Sequence, residues 1–191
     1  MKKKKGLIIT AIVVVIIIAI VGIFAGSYNG LVTKRETVTT AQADIQTQLQ
    51  RRADLIPNLV NTVKGYAAHE DEVYTAIADA RAALSGAKTV GEMETANSDL
   101  DSAISRLLVV VENYPDLKAN ENFINLQDEL AGTENRINQA RQDYNATAKD
   151  YNTKIQKFPT NIVASIFNFE SADYFKATDA ATTVPNVDFG K

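Results

Sequence analysis

The chain predicts an all-α fold: an N-terminal transmembrane helix, then an antiparallel bundle of long helices. Three observations carry this. The first twenty-five residues hold one long uncharged apolar run, the rest repeats apolar residues at alternating spacings of three and four, and no stretch alternates with the period of two that a half-buried strand requires. The 191 residues are 46% hydrophobic with no cysteine, enough for one membrane segment and one soluble core. Without cysteine there is no disulfide framework, thiolate metal site, cysteine nucleophile or lipoprotein anchor.

The apolar run is GLIITAIVVVIIIAIVGIFA, Gly6 to Ala25, with Thr10 its one polar side chain. At about 1.5 Å per residue these twenty residues span roughly 30 Å, the hydrocarbon thickness of a bilayer. So many Ile and Val residues favour strand in water, but in lipid the backbone must bond within its own segment and helix wins. The alternative is a cleaved signal peptide. It fits less well, because its apolar stretch is normally shorter and a cut after Ala25 puts Ile23 where a small residue is needed.

Residues 1–5 form a basic flank, Lys2 to Lys5, ahead of the span. Positive charge stays on the cytoplasmic side, so the expected topology is a cytoplasmic N-terminus in the cell (inner) membrane with residues 26–191 extracytoplasmic. All 23 acidic residues lie at or beyond Glu36, while four of the 20 basic ones precede the span. The soluble part is therefore acidic, and nucleic acid, whose binding needs neutralised phosphates, is not an expected partner.

Residues 26–175 form the expected bundle. Leu31, Val38, Ile45, Arg52, Leu59, Tyr66, Val73 and Ala80 recur every seven residues, with Leu49, Ile56, Val63, Ile77 and Leu84 beside them. The stripe keeps its phase through Pro57, which predicts one long helix to about residue 84 with a kink at the proline. The alternative is two helices meeting at Pro57, giving a bundle of four rather than three long helices plus a short C-terminal one. A proline there frees the carbonyl four residues back, at Ala53, and the Asn58 or Asn61 amide is placed to satisfy it. The loop SGAKTVG, residues 85–91, ends this part.

The next stripe is Met93, Asn97, Leu100, Ile104, Leu107, Val111 and Tyr114, closed by Pro115. A third helix starts after Asn120, a predicted N-cap, and carries Phe123, Leu130, Ile137, Tyr144, Tyr151 and Phe158 every seven residues until Pro159 stops it. The aromatic-rich segment after Phe158 predicts a short capping helix. Residues 176–191 lack periodicity and read as a flexible tail. Leu49, Ile56, Leu59, Val63, Leu107, Leu130, Ile137 and Tyr144 are expected among the buried positions.

The stretch QRRADLIPNLVNTVKGYAAHE, Gln50 to Glu70, is the densest in chemistry-bearing types. It offers Arg52, Asp54, Pro57, Asn58 and His69. His69 is the single histidine, so histidine pairs for a metal have no second member. There is no GxSxG elbow, Walker-type loop or GxGxxG. On one helix Arg52 and His69 lie 17 residues apart, about 25 Å, too far to act together. The reading is that these five residues are structural or partner-contacting: Arg52 pairs with an acid on a neighbouring helix, Asp54 makes a local hydrogen bond with Asn58, and His69 hydrogen-bonds near a seam. No catalytic residue, cofactor or metal is expected.

RRADLIPNLVNTVKGYAAHE resembles the most characteristic segment of the LemA family. ELAGTENRINQARQDYNATAKDYN (Glu129 to Asn152), FPTNIVASIFNF (Phe158 to Phe169) and YNGLV (Tyr28 to Val32) also match, in the same order. The resemblance implies a single-pass membrane protein with a bundle of about four helices and no established enzyme activity. It also implies partners, because family members are associated in genomes with membrane metalloproteases and TPM-domain proteins. The functional expectation is a non-enzymatic envelope scaffold or adaptor that gathers other envelope proteins or copies of itself. The rivals are an extracytoplasmic sensor or peptide-binding module and, third, an uncharacterised hydrolase.

Overall fold

The structure, a computed structural model, describes residues 2–176; the proposed tail beyond Lys176 lies outside the described residues. Six helices follow in order, with no strand among the described residues: α1 Lys2–Lys64, α2 Asp71–Gly86, α3 Val90–Val111, α4 Pro115–Lys118, α5 Glu121–Gln156 and α6 Thr160–Ile166. The fold class is the all-α one predicted. All eight residues expected in the core are buried, with Leu59, Val63, Leu107 and Ile137 fully so.

α1 contains the apolar run and continues past it to Lys64. Its apolar section is long and hydrophobic enough to cross a membrane, and its side chains, from Ile12 to Ile23, are exposed to the surroundings. Further along α1, the hydroxyls of β-branched Thr33, Thr37 and Thr39 each donate to the carbonyl one turn back, which satisfies them within the helix.

The helix passes through Pro57 and stops at Lys64, so neither a helix to residue 84 nor two helices meeting at Pro57 is what forms. The break falls at residues 65–70. Gly65, the weakest helix former after proline, follows the last turn, and the Ala67 amide still bonds to the Val63 carbonyl. Ala67 is buried, and its own carbonyl accepts from the Tyr74 hydroxyl at 2.5 Å. Burial, helped by nearby Glu70, holds that phenol above its ordinary pKa. The apolar stripe kept its phase because both helices face one core. In-phase spacing cannot tell a straight helix from one folded back on itself.

The chain forms two compact units. One holds residues up to Ile45 with Gln142–Ala172; the other holds Gln46–Arg141 with the described residues from Asp173 on. In the second, α2 runs antiparallel to the end of α1, for Lys64 lies 4.8 Å over the Tyr74 ring while Arg81 reaches Ala53. α5 is also antiparallel to α1: Arg51 pairs with Glu129, and Asn120 donates to the Tyr66 hydroxyl. α3 opens on a capping box in which Thr89 and Glu92 satisfy each other's backbone amides. Asn120 caps α5 as expected, accepting from the amides of Asn122 and Phe123. Pro115 occupies the first turn of the short α4, where its missing N–H costs nothing.

Candidate functional site

Arg52 is the polar member of the first seam and is 5% exposed. A buried guanidinium needs partners for its donors; three side chains on two other helices supply them to both Nη groups, while the buried Nε has none among the described residues. Nη1 donates to Asn97 Oδ1 at 2.8 Å and to Glu134 Oε2 at 2.6 Å, and Nη2 donates to Asp101. Asn97 in turn donates to Asp101 at 3.1 Å, and Asn138 to Glu134 at 3.1 Å. One side chain thereby joins α1, α3 and α5. Both carboxylates of the cluster point at the guanidinium and are tied to it, and the three helices meet at these turns.

Pro57 is solved by a second arginine. Ala53 is fully buried, and its carbonyl accepts from Arg81 Nε at 2.8 Å, from α2. That corrects the expectation that Asn58 or Asn61 would do so: both are exposed. Asp54 is also exposed and accepts from Gln50 at 2.8 Å, taking the local bond expected from Asn58. Asn58 instead lines an open groove of about 360 Å³ with Thr62, Asn122, Asn125, Leu126 and Glu129. His69 stands exposed in the turn between α1 and α2. The fold does not bring it to Arg52.

The other unit assembles the remaining motifs. The Tyr28 ring meets Phe167 at 4.8 Å and Phe169 at 5.7 Å between centroids, and the Arg35 guanidinium lies 5.1 Å over Phe169. The buried Tyr151 hydroxyl donates to the Glu170 carbonyl, and Asn152 both donates to and accepts from the Ala172 backbone, each at 2.8 Å. Burial, the largest influence, holds the Tyr151 phenol above its usual pKa, against the opposing pull of Arg35. The chain can turn into this clamp because Asn168 adopts φ 51°, and the Phe169 amide closes on the Ala164 carbonyl at 2.9 Å, the pattern that ends a helix. The Tyr-Asn pair and the phenylalanine motif therefore hold a backbone in place.

The sequence singles out Arg52 and an acid on a neighbouring helix, but not Asn97, Asp101 and Glu134 as its partners, nor Arg81 as the donor to Ala53. Asn97 carried a readable signal. It is a polar residue inside the second apolar stripe, as Arg52 is inside the first, and two buried polar seams must be partnered. Arg81 carried none, because its role exists only once α2 folds back.

Comparison with known proteins agrees with this arrangement. The sequence profile of the LemA family matches residues 41–189. The chain is 30% identical over 182 residues to Magnetosome protein MamQ 2 of Paramagnetospirillum magneticum, covering 82% of this chain and 67% of the relative. It is 26% identical to Magnetosome protein MamQ of Magnetospirillum gryphiswaldense over 91% of this chain and 73% of the relative. To Protein LemA of Metamycoplasma hominis it is 28% identical, covering 82% and 72%. The family match covers most of the chain, and this chain belongs to the LemA family.

Proposed function

We propose that the protein is a membrane-anchored, non-enzymatic scaffold or adaptor of the cell envelope, its soluble helices outside the cytoplasm and acting through protein–protein contacts. The observation that carries this reading is the fate of the polar motif residues. Arg52, Asn97, Asp101 and Glu134 bond to one another, Arg81 bonds to a backbone carbonyl, and Tyr151 and Asn152 bond to a returning strand of chain. A general acid or base must instead reach a substrate from within a cleft. The four N-terminal lysines support the orientation. The partners envisaged are other envelope proteins, among them membrane proteases or TPM-domain proteins, and further copies of the chain.

A membrane-impermeant amine crosslinker applied to intact cells or spheroplasts tests both parts. Discrete adducts, retained in His69→Ala, are the expected result. Adducts that form only with a permeant reagent would reverse the orientation. Turnover of a substrate that His69→Ala abolishes without unfolding would replace the adaptor with an enzyme. The second reading, peptide binding, is favoured by the amide-lined groove at Asn58, Asn122 and Asn125, whose groups match a peptide backbone.

A further inference from the structure

We infer that α6 and the turn before it sit in the interfacial layer of the bilayer that holds α1, so that the protein touches its membrane at two places. The inference rests on the anchor part of the reading above and is independent of the adaptor role. It begins with exposed apolar side chains. Phe158 is 81% exposed, Ile166 60% and Phe167 53%, with Ile162 one turn before Ile166 on the same helical face. The opposite face of α6, Thr160, Val163 and Ala164, is buried against its own unit.

The position of this face along α1 follows from two contacts. Lys34 pairs with Asp150 at 3.3 Å, and nearer the N-terminus of α1, Tyr28 meets Phe167 and Phe169, which come after α5. α5 therefore descends towards the span as α1 leaves it. Six residues separate Lys34 from Tyr28, and six separate Asp150 from Gln156, the last residue of α5; each is about 9 Å of helix. Hence α5 ends level with Tyr28, three residues or about 4.5 Å beyond Ala25. Phe158 and α6 follow at that level, where the hydrocarbon gives way to headgroups. Tyrosine is favoured at this depth, having an apolar ring and a polar tip.

Charge points to the same occupant. From Tyr151 to Phe169 the chain carries Lys154 and Lys157 and no acidic residue, although the soluble part as a whole is acidic. Both lysines are exposed. An apolar face preceded by two lysines suits a segment lying in an anionic membrane surface.

The chain has no tryptophan, so single substitutions give unique probes. Full-length Ile17→Trp, Thr40→Trp, Phe158→Trp and Ile166→Trp would each be reconstituted in vesicles of equal parts phosphatidylcholine and phosphatidylglycerol, with and without brominated acyl chains. The expected result is blue-shifted emission and bromolipid quenching at positions 17, 158 and 166, with neither at the exposed position 40. Quenching at 17 alone, with 158 and 166 behaving like 40, overturns the interfacial seat and leaves the anchor standing. A blue shift at 158 and 166 without quenching assigns the face to a protein and also overturns it. Absence of quenching at position 17 overturns the anchor reading and this inference with it.

Discussion

Pro57 and Arg81 should behave as one unit, and a double-mutant cycle measures it. Proline cannot donate to the Ala53 carbonyl, which is buried and held by Arg81 Nε at 2.8 Å. Arg81→Met keeps most of the side chain's apolar length but removes the donor, leaving a buried carbonyl unsatisfied. That costs about 1–3 kcal/mol, or roughly 2–12 °C in melting temperature for a domain of this size. In a Pro57→Ala background the new amide at position 57 bonds to Ala53 within the helix. Arg81→Met should then cost little beyond its lost packing, and the coupling between the sites should be at least about 1 kcal/mol, well above the scatter of independent sites. Thermal unfolding of the full chain in detergent, followed by helical circular dichroism, gives all four corners. Equal losses from Arg81→Met in both backgrounds would show that Arg81 acts through packing and that the carbonyl is satisfied some other way.

Two further outcomes follow from the same contacts. Arg52→Ala should cost about 2–4 kcal/mol, below the usual range for breaking a buried pair because Asp101 and Glu134 are 44% and 31% exposed and regain water; Arg52→Lys should recover only part, since one ammonium cannot replace a planar fork that reaches two helices, and full recovery in the same melts would refute the three-helix role. Glu92 has its pKa lowered from 4.5 chiefly by hydrogen bonds from the Lys88 and Thr89 amides, so its contribution is complete above the unfolded value and disappears as pH falls through the lower folded one; an acid titration of helicity should show this loss in wild type and not in Glu92→Gln, which keeps the cap without the charge.

The long apolar helix, the all-α class and the core were legible because each rests on local chemistry repeated many times. One misplaced residue in a stripe such as Leu49, Ile56, Val63 does not change the period. The location of the first break was not legible. Residues 65–70 interrupt the helix for only six positions, and α2 re-enters the same core in register, so the pattern on either side reads as continuous. Proline drew attention away from glycine. A strong local signal at Pro57 was compensated by a tertiary bond, whereas Gly65, a weaker one, marks the reversal that makes the bond available. The same reversal separates His69 from any seam and leaves it in a turn.

The arginine cluster was half legible for a related reason. A charged residue in an apolar stripe announces that partners exist, but their identity depends on how far each helix slides along the next. Asn97, Asp101 and Glu134 meet Arg52 only at one such register, and at that register the guanidinium reaches all three. The dependence also runs the other way. Asn97 and Asp101 lie one turn apart on α3, so sliding that helix by one turn, about 5.4 Å, would put one of them where the other had been, carry the second out of reach and cost Arg52 one of its three partners. Apolar seams alone tolerate such a slide better, because Leu can replace Leu at the next turn. A polar residue in the seam therefore excludes registers that the apolar pattern would allow. A buried ionic group can hold a register without any reaction, and in this chain it lies in the stretch richest in reactive-looking side chains, while apolar Phe158, Ile162 and Ile166 face outward.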